Sequence, residues 1–174
     1  VEIRQVAKMG GKIVVAGIVN DVAVFEQASP PLIVRAKVDS SVRYNTQRNH
    51  TATHLLHASL RETLGEHVVQ RGSLVAPDRL RFDFTHNGPM TDQECAEVEE
   101  RVNQVIWNNL ELKINHQPYS EALEAGAMAL FGEKYSDVVR VVEIEGASIE
   151  LCGGTHVKST GEIGLFEIIG ETRV

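Results

Sequence analysis

Cysteine is scarce in this sequence: Cys95 and Cys152 are the two present in 174 residues. They occupy unlike local settings, so a disulfide framework has no basis, and a reducing compartment fits. No apolar run approaches the roughly 18 residues of a membrane span, and the opening residues lack the basic, apolar and small-residue order of a secretory signal. The expectation is a soluble, cytoplasmic protein with no membrane partner. Positive charge is short as well. Lys and Arg number 17 against 24 Asp and Glu, a formal net charge of −7. That argues against the broad basic face of a protein that grips nucleic acid unaided, while leaving room for a local basic rim. Internal repeats and low-complexity segments are absent.

What is present is an ordinary globular composition, 43% hydrophobic and 24% charged, in a chain long enough to bury a core as one domain or two packed subdomains. The stretch 1–12 reads as mid-domain, so the chain is expected to lie within a longer polypeptide. Residues 14–38 are rich in Val, Ile and Ala and are broken by Gly17, Asn20-Asp21 and Pro30-Pro31; short strands and turns are expected there. From Asn49, a plausible N-cap, Ala52, Leu55, Leu56, Leu60 and Leu64 recur at helical spacing up to a stop at Gly65, a helix of about four turns. Residues 68–75 and 80–84 form a hairpin pattern across Ala76-Pro77-Asp78-Arg79, with Phe82 and Phe84 on the core side of an alternating strand.

Thr91 and Glu94 make a capping box ahead of Val98, Val102, Val105, Ile106 and Leu110 on one helical face. Cys95 falls on the inward side of that helix. Strands are expected at 111–115, 138–144 and 149–151, a short helix at 120–128 and a closing strand at 163–169. The class is α+β, with helices packed on a mainly antiparallel sheet.

The chemistry concentrates in two places. His50 and His54 stand at i and i+4 on the first helix, which puts two imidazoles one turn apart on one face. Cys152-Gly153-Gly154-Thr155-His156 sets a thiol and an imidazole around a glycine pair at a strand end, where a tight reversal turns both toward one point. Three imidazoles and one thiolate are a zinc ligand set of the expected softness. The glutamate of an HExxH metalloprotease is missing, because Thr51 stands in its place. A closed structural site and a catalytic site both remain open readings. His57 continues the face of His50 at i+7 and reads as packed or as a support for a ligand, and His67, His86 and His116 are left off the ligand set.

Five segments in order resemble the editing domain of alanyl-tRNA synthetases: 48–57 (RNHTATHLLH), 70–75 (QRGSLV), 79–84 (RLRFDF), 126–135 (GAMALFGEKY) and 152–156 (CGGTH). The related threonyl-tRNA synthetase editing domain shares only the HxxxH and C-to-H skeleton. The resemblance runs from about residue 36 to near the C-terminus. It implies the threonyl/alanyl editing-domain fold, with an incomplete β subdomain at 1–44 and a zinc-binding editing domain at 45–174. His50, His54, Cys152 and His156 fall on the family's zinc ligands, and Gln70 on a glutamine of the editing pocket.

The implied activity is hydrolysis of the ester in seryl- or glycyl-tRNA for alanine, and the implied partners are the tRNA 3′ end and the other domains of the same synthetase. A synthetic pocket for alanine discriminates poorly against glycine and serine, so a second hydrolytic site is the remedy. A group that bonds the serine hydroxyl would spare alanine, which leaves it unpaired. Gln70 or Thr51 are candidates for that contact, though a threonine near a helix start also commonly bonds nearby backbone. Arg71, Arg79, Arg81, Lys134 and Arg140 are candidates for a phosphate rim or simply a solvated face. A non-catalytic zinc clamp that docks tRNA or a partner domain is the rival from another class.

Overall fold

The computed structural model describes residues 2–27, 35–129 and 134–172. They divide into two units, Val1–Lys37 and Val38–Val174. In the first, β1 (Glu2–Met9) and β2 (Lys12–Ile18) form an antiparallel hairpin. Gly10 and Gly11 supply its two-residue turn with φ of 56° and 76°, the double positive φ that a type I′ connection needs and that side chains resist. A single helical turn, α1 (Ala23–Glu26), follows where strands and turns are expected. The expected break at Pro30-Pro31 lies outside the described residues.

The second unit opens with α2 (Ser40–Leu64), 25 residues long. The expectation of a start at Asn49 is corrected: the N-cap is Asp39, whose carboxylate accepts from Ser41 N and Val42 N at 2.9 and 3.0 Å. The first turns carry exposed polar residues with no apolar stripe, so periodicity gave no sign of them. Asn49 sits inside the helix and donates to Ala76 O at 2.7 Å, tying α2 to the next hairpin. Gly65 is the C-cap. β3 (Gln70–Val75) and β4 (Leu80–Phe84) are the expected hairpin. α3 (Asp92–Trp107) begins at the Thr91/Glu94 capping box and buries Val98, Val102 and Ile106. Cys95 is half-buried near its start, and both cysteines are free.

A three-stranded antiparallel sheet orders β5 (Leu112–Pro118), β6 (Val138–Ile144) and β7 (Ser148–Leu151) with β6 in the centre. β6 is buried on both sides, because alternate residues face opposite ways. Val142 and Ile144 join Leu55, Leu60, Val98 and Ile106 in the main core, while Val139 and Val141 join Ala122, Ala127 and Leu151 in a second. The helix expected at 120–128 ends earlier: α4 covers Tyr119–Glu124, and Gly126 at φ 86° turns the chain out of it. Met128 then exchanges backbone hydrogen bonds with β7, donating to Ile149 O at 2.8 Å and accepting from Leu151 N at 2.9 Å. Residues 130–133 of the 126–135 segment lie outside the described residues.

The closing strand expected at 163–169 does not form. Its backbone groups are taken by side chains instead: Asn103 pairs with both Phe166 N and Phe166 O at 2.9 and 2.8 Å, and Glu99 accepts from Ile168 N at 2.8 Å. Those bonds stitch the segment to α3 and remove the groups a strand partner would use. The fold is α+β with antiparallel sheets, and among the described residues no helix is long and apolar enough to cross a membrane.

Candidate metal centre

His50 and His54 project from one face of α2, and Cys152 and His156 from the loop that leaves β7. One donor atom from each lies within 4.8 Å of all the others. Cys152 Sγ is 3.4 Å from His50 Nε2 and 3.4 Å from His156 Nε2. Ideal Zn–N bonds of about 2.0–2.1 Å and Zn–S bonds of about 2.3 Å place tetrahedral N and S donors roughly 3.6 Å apart, so the two Cys–His spacings suit a metal such as zinc. The loop brings Cys152 and His156 to one point as expected, and it does so without a positive φ at Gly153 or Gly154. A Cβ at Gly154 would stand 2.0 Å from His50 Cε1. That glycine is needed for close approach of the imidazole.

Supporting contacts fix the rings. Thr51 is fully buried, and its hydroxyl donates to Gln47 O at 3.0 Å while accepting from Val157 N at 3.3 Å. With its one proton so placed, it accepts from His156 Nδ1 at 3.2 Å, which leaves the Nε2 lone pair facing Cys152. The Thr155 backbone hydrogen-bonds the His50 ring. Arg140, one of the candidate rim residues, is committed elsewhere: its guanidinium donates to Cys152 O at 2.5 Å and Gly154 O at 2.9 Å, clamping the loop.

Burial sets the electrostatics. Desolvation lowers the pKa of His50, drives that of His54 well below its ordinary value, and takes that of His156 to about 3, with neighbouring imidazoles and Arg140 adding repulsion. Burial also raises the Cys152 thiol, opposed by the Gly154 N–H and Arg140. The pocket thus holds three neutral imidazoles with available lone pairs and a thiol that a cation would convert to thiolate. This is the donor state a zinc ion requires. His54 and His156 are buried, whereas His50 and Cys152 are half-buried, so the cluster is more accessible at those two donors.

The remaining candidates lie apart. Gln70 opens β3 with its amide 3.3 Å from Ser73 Oγ. Arg79 and Arg81 pair with Asp78 and Asp83 at 2.6 and 2.9 Å, and Lys134 is exposed. Arg71, Arg79 and Arg81 line a groove of about 1320 Å³ whose floor includes Ala52 and Leu56. At 100° per residue those two positions fall on the side of α2 opposite His50, His54 and His57. None of the four donors lines this groove. Glu150, a carboxylate buried between His54 and His57, belongs to no motif of the sequence. Its signal was position, two residues before Cys152 on an alternating strand.

Residues 139–174 match the threonyl and alanyl tRNA synthetase second additional domain. That segment, which holds Cys152 and His156, is therefore similar to an additional domain of aminoacyl-tRNA synthetases. The chain is 58% identical over 141 residues to an alanine–tRNA ligase of Listeria welshimeri, covering 81% of this chain and 16% of that protein. It is 59% identical over 139 residues to the ligase of Staphylococcus saprophyticus (80% and 16%) and 57% identical over 141 residues to that of Pseudothermotoga lettingae (81% and 16%). The chain belongs to the alanyl-tRNA synthetase family, and spans about 16% of the length of the curated relatives it matches.

Proposed function

We propose that the unit carrying the His50, His54, Cys152 and His156 cluster is a zinc-dependent editing domain that hydrolyses the ester of seryl- or glycyl-tRNA for alanine, with the N-terminal hairpin part of a neighbouring β subdomain. The observation that carries this reading is the convergence of four zinc-type donors, two of them buried and two half-buried. Zinc held by these four residues would supply Lewis-acid chemistry for ester hydrolysis.

In this reading the chain's own residues do the rest. His54 and His156 anchor the site from within, and His50 and Cys152 border the side from which the tRNA 3′ end approaches. The Thr51 hydroxyl is already used by Gln47, Val157 and His156, so the serine hydroxyl contact is assigned to Gln70 on the family resemblance, with its amide exchanging the exposed Ser73 partner for the substrate. Alanine has no hydroxyl to offer that amide, so its ester lacks the contact that favours the seryl ester. Arg71, Arg79, Arg81 and Lys134 are assigned to backbone phosphates away from the ester. Exposed pairs such as Arg81–Asp83 are worth about 0–1 kcal/mol and exchange readily. Other domains of the ligase hold the body of the tRNA, in the cytoplasm, which accommodates the acidic charge of this segment.

Four protein donors also complete a tetrahedron, and that favours a second reading as a non-catalytic clamp that docks tRNA or a neighbouring domain. Deacylation of seryl-tRNA for alanine separates the two, with alanyl-tRNA as control and Cys152→Ala as the zinc-deficient variant. Editing predicts selective loss of the seryl ester, reduced at least ~100-fold along with zinc content in the variant. If the zinc-loaded protein, here and in the full-length ligase, cleaves neither ester, the clamp reading replaces it.

A further inference from the structure

Glu150 is 6% exposed, an expensive place for a carboxylate unless its oxygens are engaged. It lies on β7, and alternation along that strand turns Ser148, Glu150 and the following Cys152 toward α2 while Ile149 and Leu151 face the second core. Each carboxylate oxygen meets a different imidazole. Oε1 is 3.2 Å from His57 Nδ1 and 3.5 Å from Ser148 Oγ; Oε2 is 3.5 Å from His54 Nδ1. His54 and His57 are themselves one turn apart on α2, so one side chain spans the helix face from the strand.

We infer that Glu150 is a positioning residue for the metal centre: its carboxylate selects the Nδ1–H form of His54 and aims the other ring nitrogen into the cluster, while His57 and Ser148 hold the carboxylate. A ring that donates from Nδ1 to a fixed carboxylate offers Nε2 as the lone pair for a metal, and is a stronger donor for that contact. The other two imidazoles obtain the same support from neutral groups, His156 from Thr51 and His50 from the Thr155 backbone. His54 is the most deeply buried of the three rings, and its Nδ1 makes no hydrogen bond among the described residues; the Glu150 carboxylate stands 3.5 Å from it, close enough for a small shift of the ring to close the bond. This assigns work to His57, which the four-donor set leaves unexplained: it anchors the opposite oxygen. The inference rests on the zinc-site reading and extends it to a residue outside the donor set.

The test is metal affinity in the full chain, measured by chelator competition for Zn²⁺ and by the visible absorption of the Co²⁺ form, in wild type, Glu150→Gln and His57→Gln. Supporting contacts of this kind change metal affinity by about 10–100-fold. Glu150→Gln should therefore bind Zn²⁺ about 10–100-fold more weakly, with an altered Co²⁺ spectrum and unchanged far-ultraviolet circular dichroism. A residue that only fills space would leave the spectrum and the affinity of the folded protein where they were, and that result would overturn the inference while leaving the zinc site standing. Should Glu150→Gln fail to fold, His57→Gln decides, since it keeps the carboxylate and removes one anchor: several-fold weaker binding supports the inference, and wild-type binding rejects it. If wild type itself binds neither metal, the zinc-site reading falls and this inference with it.

Discussion

Gly154 shows how much of the centre depends on single atoms. A methyl group there would lie 2.0 Å from His50 Cε1, so Gly154→Ala must displace the imidazole or the loop that Arg140 clamps through Cys152 O and Gly154 O. Overpacking of this kind costs about 1–3 kcal/mol, and moving one of four donors should weaken zinc binding at least ~10-fold. A urea titration and a zinc competition assay on Gly154→Ala would show both, and wild-type zinc affinity would mean that the loop tolerates the methyl group. The four donors were legible in the sequence because HxxxH and the C-to-H loop have metal-ligand spacing. Thr51, Arg140 and Glu150 were not legible in their supporting roles. Their partners are 105, 12 and 93 residues away in the chain, and no local pattern encodes such pairings.

Among the elements, α3 was the most legible, since both of its signals are local. The Thr91 hydroxyl accepts from Glu94 N at 3.2 Å and the Glu94 carboxylate accepts from Thr91 N at 2.7 Å. Thr91→Ala should cost about 1 kcal/mol, read as a lower urea midpoint with an unchanged slope, and an unchanged midpoint would mean that packing of Val98, Val102 and Ile106 alone sets where α3 begins. The hairpin β3–β4 was read from its turn and alternation. α2 was read only where it is apolar, because its first turns are exposed and held by the Asp39 cap rather than by a buried stripe. The 163–169 segment has strand-like composition, yet Asn103 and Glu99 of α3 occupy its backbone groups. Composition reports burial, and which partner satisfies a backbone group is decided in space.

At the scale of the whole molecule, burying imidazoles couples folding to proton concentration. In the metal-free protein His54 and His156 stay neutral inside, His156 with a pKa of about 3, while in the unfolded chain each takes up a proton near the ordinary 6.5. Below 6.5 the unfolded state therefore binds more protons, so stability falls as pH drops toward 3 and is level above about 7. Between pH 7.5 and pH 5 the effect for His156 alone is about 2 kcal/mol. Urea midpoints of the metal-free protein at pH 7.5 and 5.0 check this: the lower pH should give the lower midpoint, and equal midpoints would place the imidazoles in water rather than in the core. The sequence by itself determined the donor types, the α+β class, the capping box and the hairpin turn, since these follow from residue identity and short-range spacing. Only the tertiary structure decided that the two donor pairs share one point, that Gly154 makes room for His50, and that Glu150 stands behind His54, because packing α2 against β7 is what brings residues about a hundred positions apart to within 4.8 Å.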